Sequence, residues 1–166
     1  MKHSLKQSLK QFKNDWRHYV VQSLLATVVV FLVLMTLSID HEAVIVASIG
    51  ATTFIVFAMP NNITARPKAI IGGHLTGLAC GLTIALIPRP LFISHVAAEM
   101  FCYAVAVGLT MFLMVVFDSE HAPAAATAMG VVITGFSWHI VLTVVVSASL
   151  LALIHVVFGR YLKDLT

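Results

Sequence analysis

The sequence predicts an all-α fold, a polytopic bundle of transmembrane helices, on three observations. Apolar side chains make up 60% of the 166 residues and charged ones only 10%, against roughly a quarter charged in soluble domains. Mean hydropathy is +0.98. The apolar residues gather into six stretches, 20–39, 43–59, 69–87, 96–117, 122–135 and 140–158, and helices are the ordinary way for an open chain to satisfy its backbone in lipid.

Residues 1–19 precede the first stretch. Leu5, Leu9, Phe12 and Trp16 recur at helical spacing, and Lys6, Lys10, Lys13 and Arg17 follow one position behind. This is the pattern of a basic amphipathic helix lying on a membrane surface. With Lys2 it supplies five of the ten Lys and Arg in a chain of net charge +3. The partner such a cluster fits is anionic lipid headgroups, with no nucleic acid implied. Stretch 20–39 is too long for a signal-peptide core and no small-residue cleavage site follows it, so it is expected to be a retained span. Residues 20–166 then form a single transmembrane domain.

The six stretches differ in length. About 20 helical residues cross the hydrocarbon layer, so the first, third, fourth and sixth are full spans. The second and fifth are short, and are tilted, extended by their loops, or re-entrant. Charge separates the alternatives. Six crossings put nine of the ten Lys and Arg on the inner side, leaving only Arg89 outside; four crossings with two re-entrant segments put eight inside. Six are favoured, and both arrangements place both termini in the cytoplasm.

A shift of 79 positions lays residues 40–48 over 119–127, pairing Ala43 with Ala122, Ala47 with Ala126 and Ser48 with Thr127. Each short segment is flanked by long ones. That gives two three-helix units of opposite orientation, a 3+3 inverted repeat as in many secondary transporters.

The stretch DSEHAPAAATAMG, from Asp118 to Gly130, concentrates the chemistry. Proline at a helix start costs no hydrogen bond, and the N-terminal dipole favours an anion. Asp118 or Ser119 is placed to cap the helix, His121 adds a donor that changes charge near neutrality, and the alanines permit close helix approach. Gly73, Gly77 and Gly81 repeat every four residues on the third stretch, a small face on which a short helix should pack. His74 lies beside that face. Glu99, one turn inside the fourth stretch and four residues after His95, is an ionisable group that needs a partner, water or a proton. Candidate substrate-binding residues are therefore Ser119, His121, Ala122, Pro123, Gly73 and His74, with proton coupling at Glu99 and His121. Cys80 and Cys102 fall in apolar runs and read as small hydrophobes. No cofactor and no ordered metal motif is indicated.

Two segments carry a family resemblance. ASIGATTFIVFAMPNNITARPKAIIGGHLTG resembles the first signature region of the HPP family of integral membrane proteins, and SEHAPAAATAM resembles the region that names it, with Ala122 where the name has proline. The resemblance covers most of residues 20–158. It implies a carrier of small monovalent anions, since members are associated with nitrite transport, and a bacterial inner membrane. Eight histidines with nearby carboxylates leave a divalent-metal carrier as the alternative, and the glycine faces would also suit a non-transporting accessory subunit. A homo-oligomer is compatible with either. No nucleophile elbow, nucleotide loop or H-E-x-x-H is present, so an enzyme is not expected.

Overall fold

In the computed structural model, residues 5–37, 42–87 and 95–166 are described. Lys2, Asp40, His41 and Arg89, named above, lie outside them, as do the side chains of Leu5, Lys6 and His95. Six α-helices follow one another: α1 (Leu5–Leu37), α2 (Ala43–Ala58), α3 (Pro67–Ala85), α4 (His95–Val116), α5 (Pro123–Thr134) and α6 (Trp138–Phe158). A 3-10 turn, Ile63–Ala65, precedes α3, and a second, Gly159–Tyr161, follows α6. Four helices are long and apolar enough to cross a membrane, while α2 and α5 are shorter.

The amphipathic segment and the first span form one helix. α1 runs without a break through residue 19 for 33 residues, about 50 Å at 1.5 Å per residue. Its first half is tied to the C-terminal tail. Lys163 pairs with Asp15 at 2.7 Å, and Tyr19 donates its hydroxyl to the Leu165 carbonyl at 2.7 Å. Gln22, buried, accepts from the Lys163 N–H at 2.9 Å and donates to the Phe57 carbonyl.

Those contacts also decide how the short segments run. The Leu165 N–H donates to the Ala58 carbonyl, Asn61 donates to Asp164 and His155 donates to the Pro60 carbonyl. The end of α2, the loop through Arg66 to Lys68 in the first turn of α3, and the C-terminal tail therefore share one end of the bundle. At the other end, His139 at the start of α6 donates to the Leu37 carbonyl at 2.9 Å and lies 4.0 Å from Glu42. Both short helices thus connect the two ends, as the six-segment arrangement requires. α5 manages this with 12 residues because the loop before it descends into the bundle.

That descent begins at Asp118. The Ser119 N–H reaches back to the Met114 carbonyl and the Asp118 N–H to Val115, a Schellman ending with Asp118 in the left-handed region at φ 52°. Asp118 also pairs with Lys68 at 2.5 Å, and the Lys68 ammonium holds its carboxyl below the usual range. A lowered carboxylate pKa stabilises above the ordinary value and ceases to do so as pH falls through the lowered one. Both side chains are exposed, so acidification should barely change the melting temperature in detergent. Asp118→Val should lower it clearly, since a β-branched residue resists φ > 0; Asp118→Gly should not.

The main core lies where α2, α3 and α6 meet, around Ile45, Ile49, Val56, Ile70, Val144 and Leu151. Between α3 and α5 there is almost no side-chain layer. A Cβ on Gly77 would lie 2.3 Å from the Ala124 carbonyl oxygen, one on Gly81 2.7 Å from that of Ala128, and one on Gly73 2.7 Å from the His121 Cβ. The short helix expected on the glycine face is α5.

The 79-residue offset carries residues 16–37 onto 95–116, the bounds of α4. It also pairs Ser48 with Thr127, whose hydroxyls are 2.8 Å apart, a contact between equivalents such as a two-fold relation produces. The third members depart from it. α3 packs on α4, whereas α1 stands away from α6 and leaves an apolar groove of about 620 Å³ whose lining includes Arg17, Val21, Leu25 and Phe158.

Candidate functional site

Three helices and one loop converge on a polar cluster in an otherwise apolar bundle. α2 contributes Ser48 and Thr52, one turn apart on the same face. α3 contributes His74 from its second turn, and α5 contributes Thr127. The descending loop contributes His121. All five are buried, none more than 4% exposed.

Their polar atoms form one continuous chain. His121 Nδ1 lies 2.9 Å from the Thr64 carbonyl, and His121 Nε2 lies 2.9 Å from Thr52 Oγ1. The same hydroxyl lies 2.9 Å from His74 Nε2. His74 Nδ1 lies 2.9 Å from Thr127 Oγ1, which meets Ser48 Oγ at 2.8 Å, and Ser48 Oγ lies 2.7 Å from the Pro123 carbonyl. The imidazole centroids are 5.1 Å apart. A carbonyl only accepts, so His121 Nδ1 carries a proton and the neutral ring accepts at Nε2, a tautomer fixed by its partners. Burying such groups unpaired would be costly, and the mutual pairing is what permits them here.

Gly73 admits His121 by lacking a side chain, and Pro123 is buried at the first position of α5. Neither Asp118 nor Ser119 caps α5. The cap position is Ala122, without a side-chain bond, because the Schellman turn sends the chain down for three residues before the helix starts. The Ala124 and Ala125 N–H groups turn back to the carbonyls of His121 and Ala122.

Ser119 is 3% exposed, and its hydroxyl has no hydrogen-bond partner among the described residues. A cavity of about 90 Å³ opens on the same loop, lined by Ile63, Arg66, Lys68, Ala69, Asp118 and Glu120. Glu99 is half-buried on α4, a helix that contributes none of the five cluster residues. Among the described residues, no three His, Cys, Asp or Glu come together as a metal-ligand set.

The sequence reading named His74 and His121 separately and did not name Thr52, which joins them. A signal was present. Ser48 and Thr52 place two hydroxyls one turn apart on a helix whose other residues are nearly all apolar.

A helical bundle with four full-length spans and a titratable network buried among its helices defines a polytopic integral membrane protein. The chain belongs to the family described as HPP, transmembrane region, whose model matches residues 11–164. A transmembrane protein of Dictyostelium discoideum is 33% identical over 86 residues, 52% of this chain and 29% of that protein. The chain thus spans less than a third of that relative's length. No solved structure matches it.

Proposed function

We propose that the protein carries a small monovalent anion, nitrite by its family resemblance, across a bacterial inner membrane, with both termini cytoplasmic. The anion path runs from the Arg66 and Lys68 cavity past Ser119 to His121, with Ala122, Pro123, Gly73 and His74 beside it. The observation that carries this reading is the Ser119 hydroxyl, buried with no hydrogen-bond partner among the described residues, on the loop whose Asp118 and Glu120 line a cavity together with Arg66 and Lys68. An unmade buried hydrogen bond is costly, and a site that uses the donor for a ligand accounts for it. The positive end of the α5 dipole points at the same loop and adds attraction. The protein acts here as a carrier and not as an enzyme, and the N-terminal half of α1 meets anionic headgroups with its basic residues.

Flux into liposomes containing the purified protein tests this. Nitrite movement without Zn²⁺ or Mn²⁺ movement is expected; metal movement alone would indicate a metal carrier, and neither an accessory subunit. Ser119→Ala separates function from folding. It should leave the melting temperature unchanged or slightly raised, since it removes an unsatisfied group, while lowering nitrite flux several-fold. Unchanged flux would remove Ser119 from the path. Glu99→Gln should shift the pH profile of flux with little effect on folding, and an identical profile would make Glu99 a bystander at the headgroup level.

A further inference from the structure

The hydrogen bonds between Thr64 and Pro123 have a proton count that the anion reading does not use. Six contacts lie in series: Thr64 carbonyl to His121, His121 to Thr52, Thr52 to His74, His74 to Thr127, Thr127 to Ser48, and Ser48 to the Pro123 carbonyl. With both imidazoles neutral, the five side chains own one polar hydrogen each. Five hydrogens cannot fill six contacts. Both terminal atoms are carbonyl oxygens that can only accept, so one contact in the series must bring two lone pairs together. The Ser48 carbonyl, 3.0 Å from Thr52 Oγ1, competes for the Thr52 hydrogen and increases the shortage.

We infer that this series is a proton-binding relay that holds a single excess proton, shared between His121 and His74 through Thr52. In the neutral ordering Ser48 donates to Thr127, Thr127 to His74 Nδ1, His74 Nε2 to Thr52, and Thr52 to His121 Nε2, with His121 Nδ1 donating to Thr64. A proton arriving at Ser48 Oγ displaces each hydrogen one place along. Ser48 then donates to Pro123, Thr127 to Ser48, His74 Nδ1 to Thr127, Thr52 to His74 Nε2, and His121 donates from both nitrogens. No bond to carbon changes, each oxygen keeps one hydrogen, and the charge rests as an imidazolium on His121. All six contacts are then filled. A second proton would place two imidazolium rings 5.1 Å apart between centroids, and their repulsion away from water limits the relay to one.

The surrounding charges leave this to the network itself. α2 and α5 carry no Asp, Glu, Lys or Arg. α3 has only Lys68, at its mouth, and the loops add Arg66, Asp118 and Glu120. α6 contributes His155, held at the Pro60 carbonyl. The inference deepens the carrier reading, because a proton on His121 beside the anion path would let anion and proton cross with no net charge. Its test is independent of flux.

The experiment follows the ring nitrogens of ¹⁵N-histidine-labelled protein in lipid nanodiscs by NMR between about pH 4 and 8, the range around the histidine value. His74→Gln and His121→Gln assign the signals. The expected result is one shared midpoint for both rings with one proton taken up between them. In Thr52→Val, which keeps the volume and removes the shared hydroxyl, the rings should titrate separately; Thr52→Ser should restore the shared step. If Thr52→Val fails to fold, Thr127→Val replaces it and should shift the midpoint by breaking the His74 Nδ1 contact. Separate midpoints in the wild type, a shared step that survives Thr52→Val or an unmoved one in Thr127→Val, or no uptake before unfolding would each overturn the relay. Absent nitrite flux alongside a shared midpoint would overturn the carrier reading and leave the relay standing.

Discussion

Gly77→Leu is expected to abolish the folded protein, and Gly77→Ala to destabilise it by about 1 to 3 kcal/mol, the usual cost of overpacking. The cause is backbone, not side chain. A methyl at Gly77 would sit 2.3 Å from the Ala124 carbonyl oxygen, and α5 can relieve that only by moving away from α3 as a unit. Such movement would also pull Ala128 from Gly81 and His121 from Gly73, where an added Cβ would likewise come within 2.7 Å of the neighbouring atom. Gly108 on α4 is the control. A Cβ there meets nothing within 4 Å, so Gly108→Ala should be neutral or stabilising through helix propensity. Thermal melts followed by circular dichroism in one detergent compare the two. Equal melting temperatures would show that α3 and α5 do not approach so closely.

His121→Ala should have the largest effect on function. Removing the ring opens a fully buried cavity and strands the Thr64 carbonyl, a loss on the order of 3 kcal/mol, while the Thr52 hydroxyl keeps His74 and the Ser48 carbonyl. If the protein carries nitrite as proposed, its nitrite affinity, measured where the variant remains folded, should fall. Its strengthening as pH drops should flatten, because the titrating charge is gone while the α5 dipole remains; burial holds His121 below the ordinary histidine range, so the response lost is on the acid side of that range. A full pH response in this variant would place the titrating group elsewhere and reduce the HAP loop to a packing element.

Legibility followed the range of the interactions. The six helices lie close to the six apolar stretches because hydrophobicity and helical spacing are local, and α3 was recognisable as a packing face because glycine every four residues can be counted along one chain. The loop before α5 was read as a capped helix start. The actual cap is Ala122, since Asp118 and Ser119 had already been used to end α4 in a Schellman turn, and a cap is decided by where the previous helix stops. The spacing of Ser48 and Thr52 marks a polar face on α2, but hydroxyls along one helix carry no sign of which side chains lie opposite them.

By itself, then, the sequence determined the class of fold, the number and order of the apolar segments, the family, and the residue types available for chemistry, since each follows from composition and short-range pattern; that residues 5–37 form one unbroken helix was not among them. Only the tertiary structure decided that α5 is the helix lying on the glycine face and that both short helices join the two ends of the bundle. It alone brought His74 and His121, 47 positions apart in the chain, to one threonine hydroxyl. Such convergence depends on which faces three helices present to one another, and that is settled by packing the whole bundle at once, because the best partner for each buried polar atom lies on a different segment.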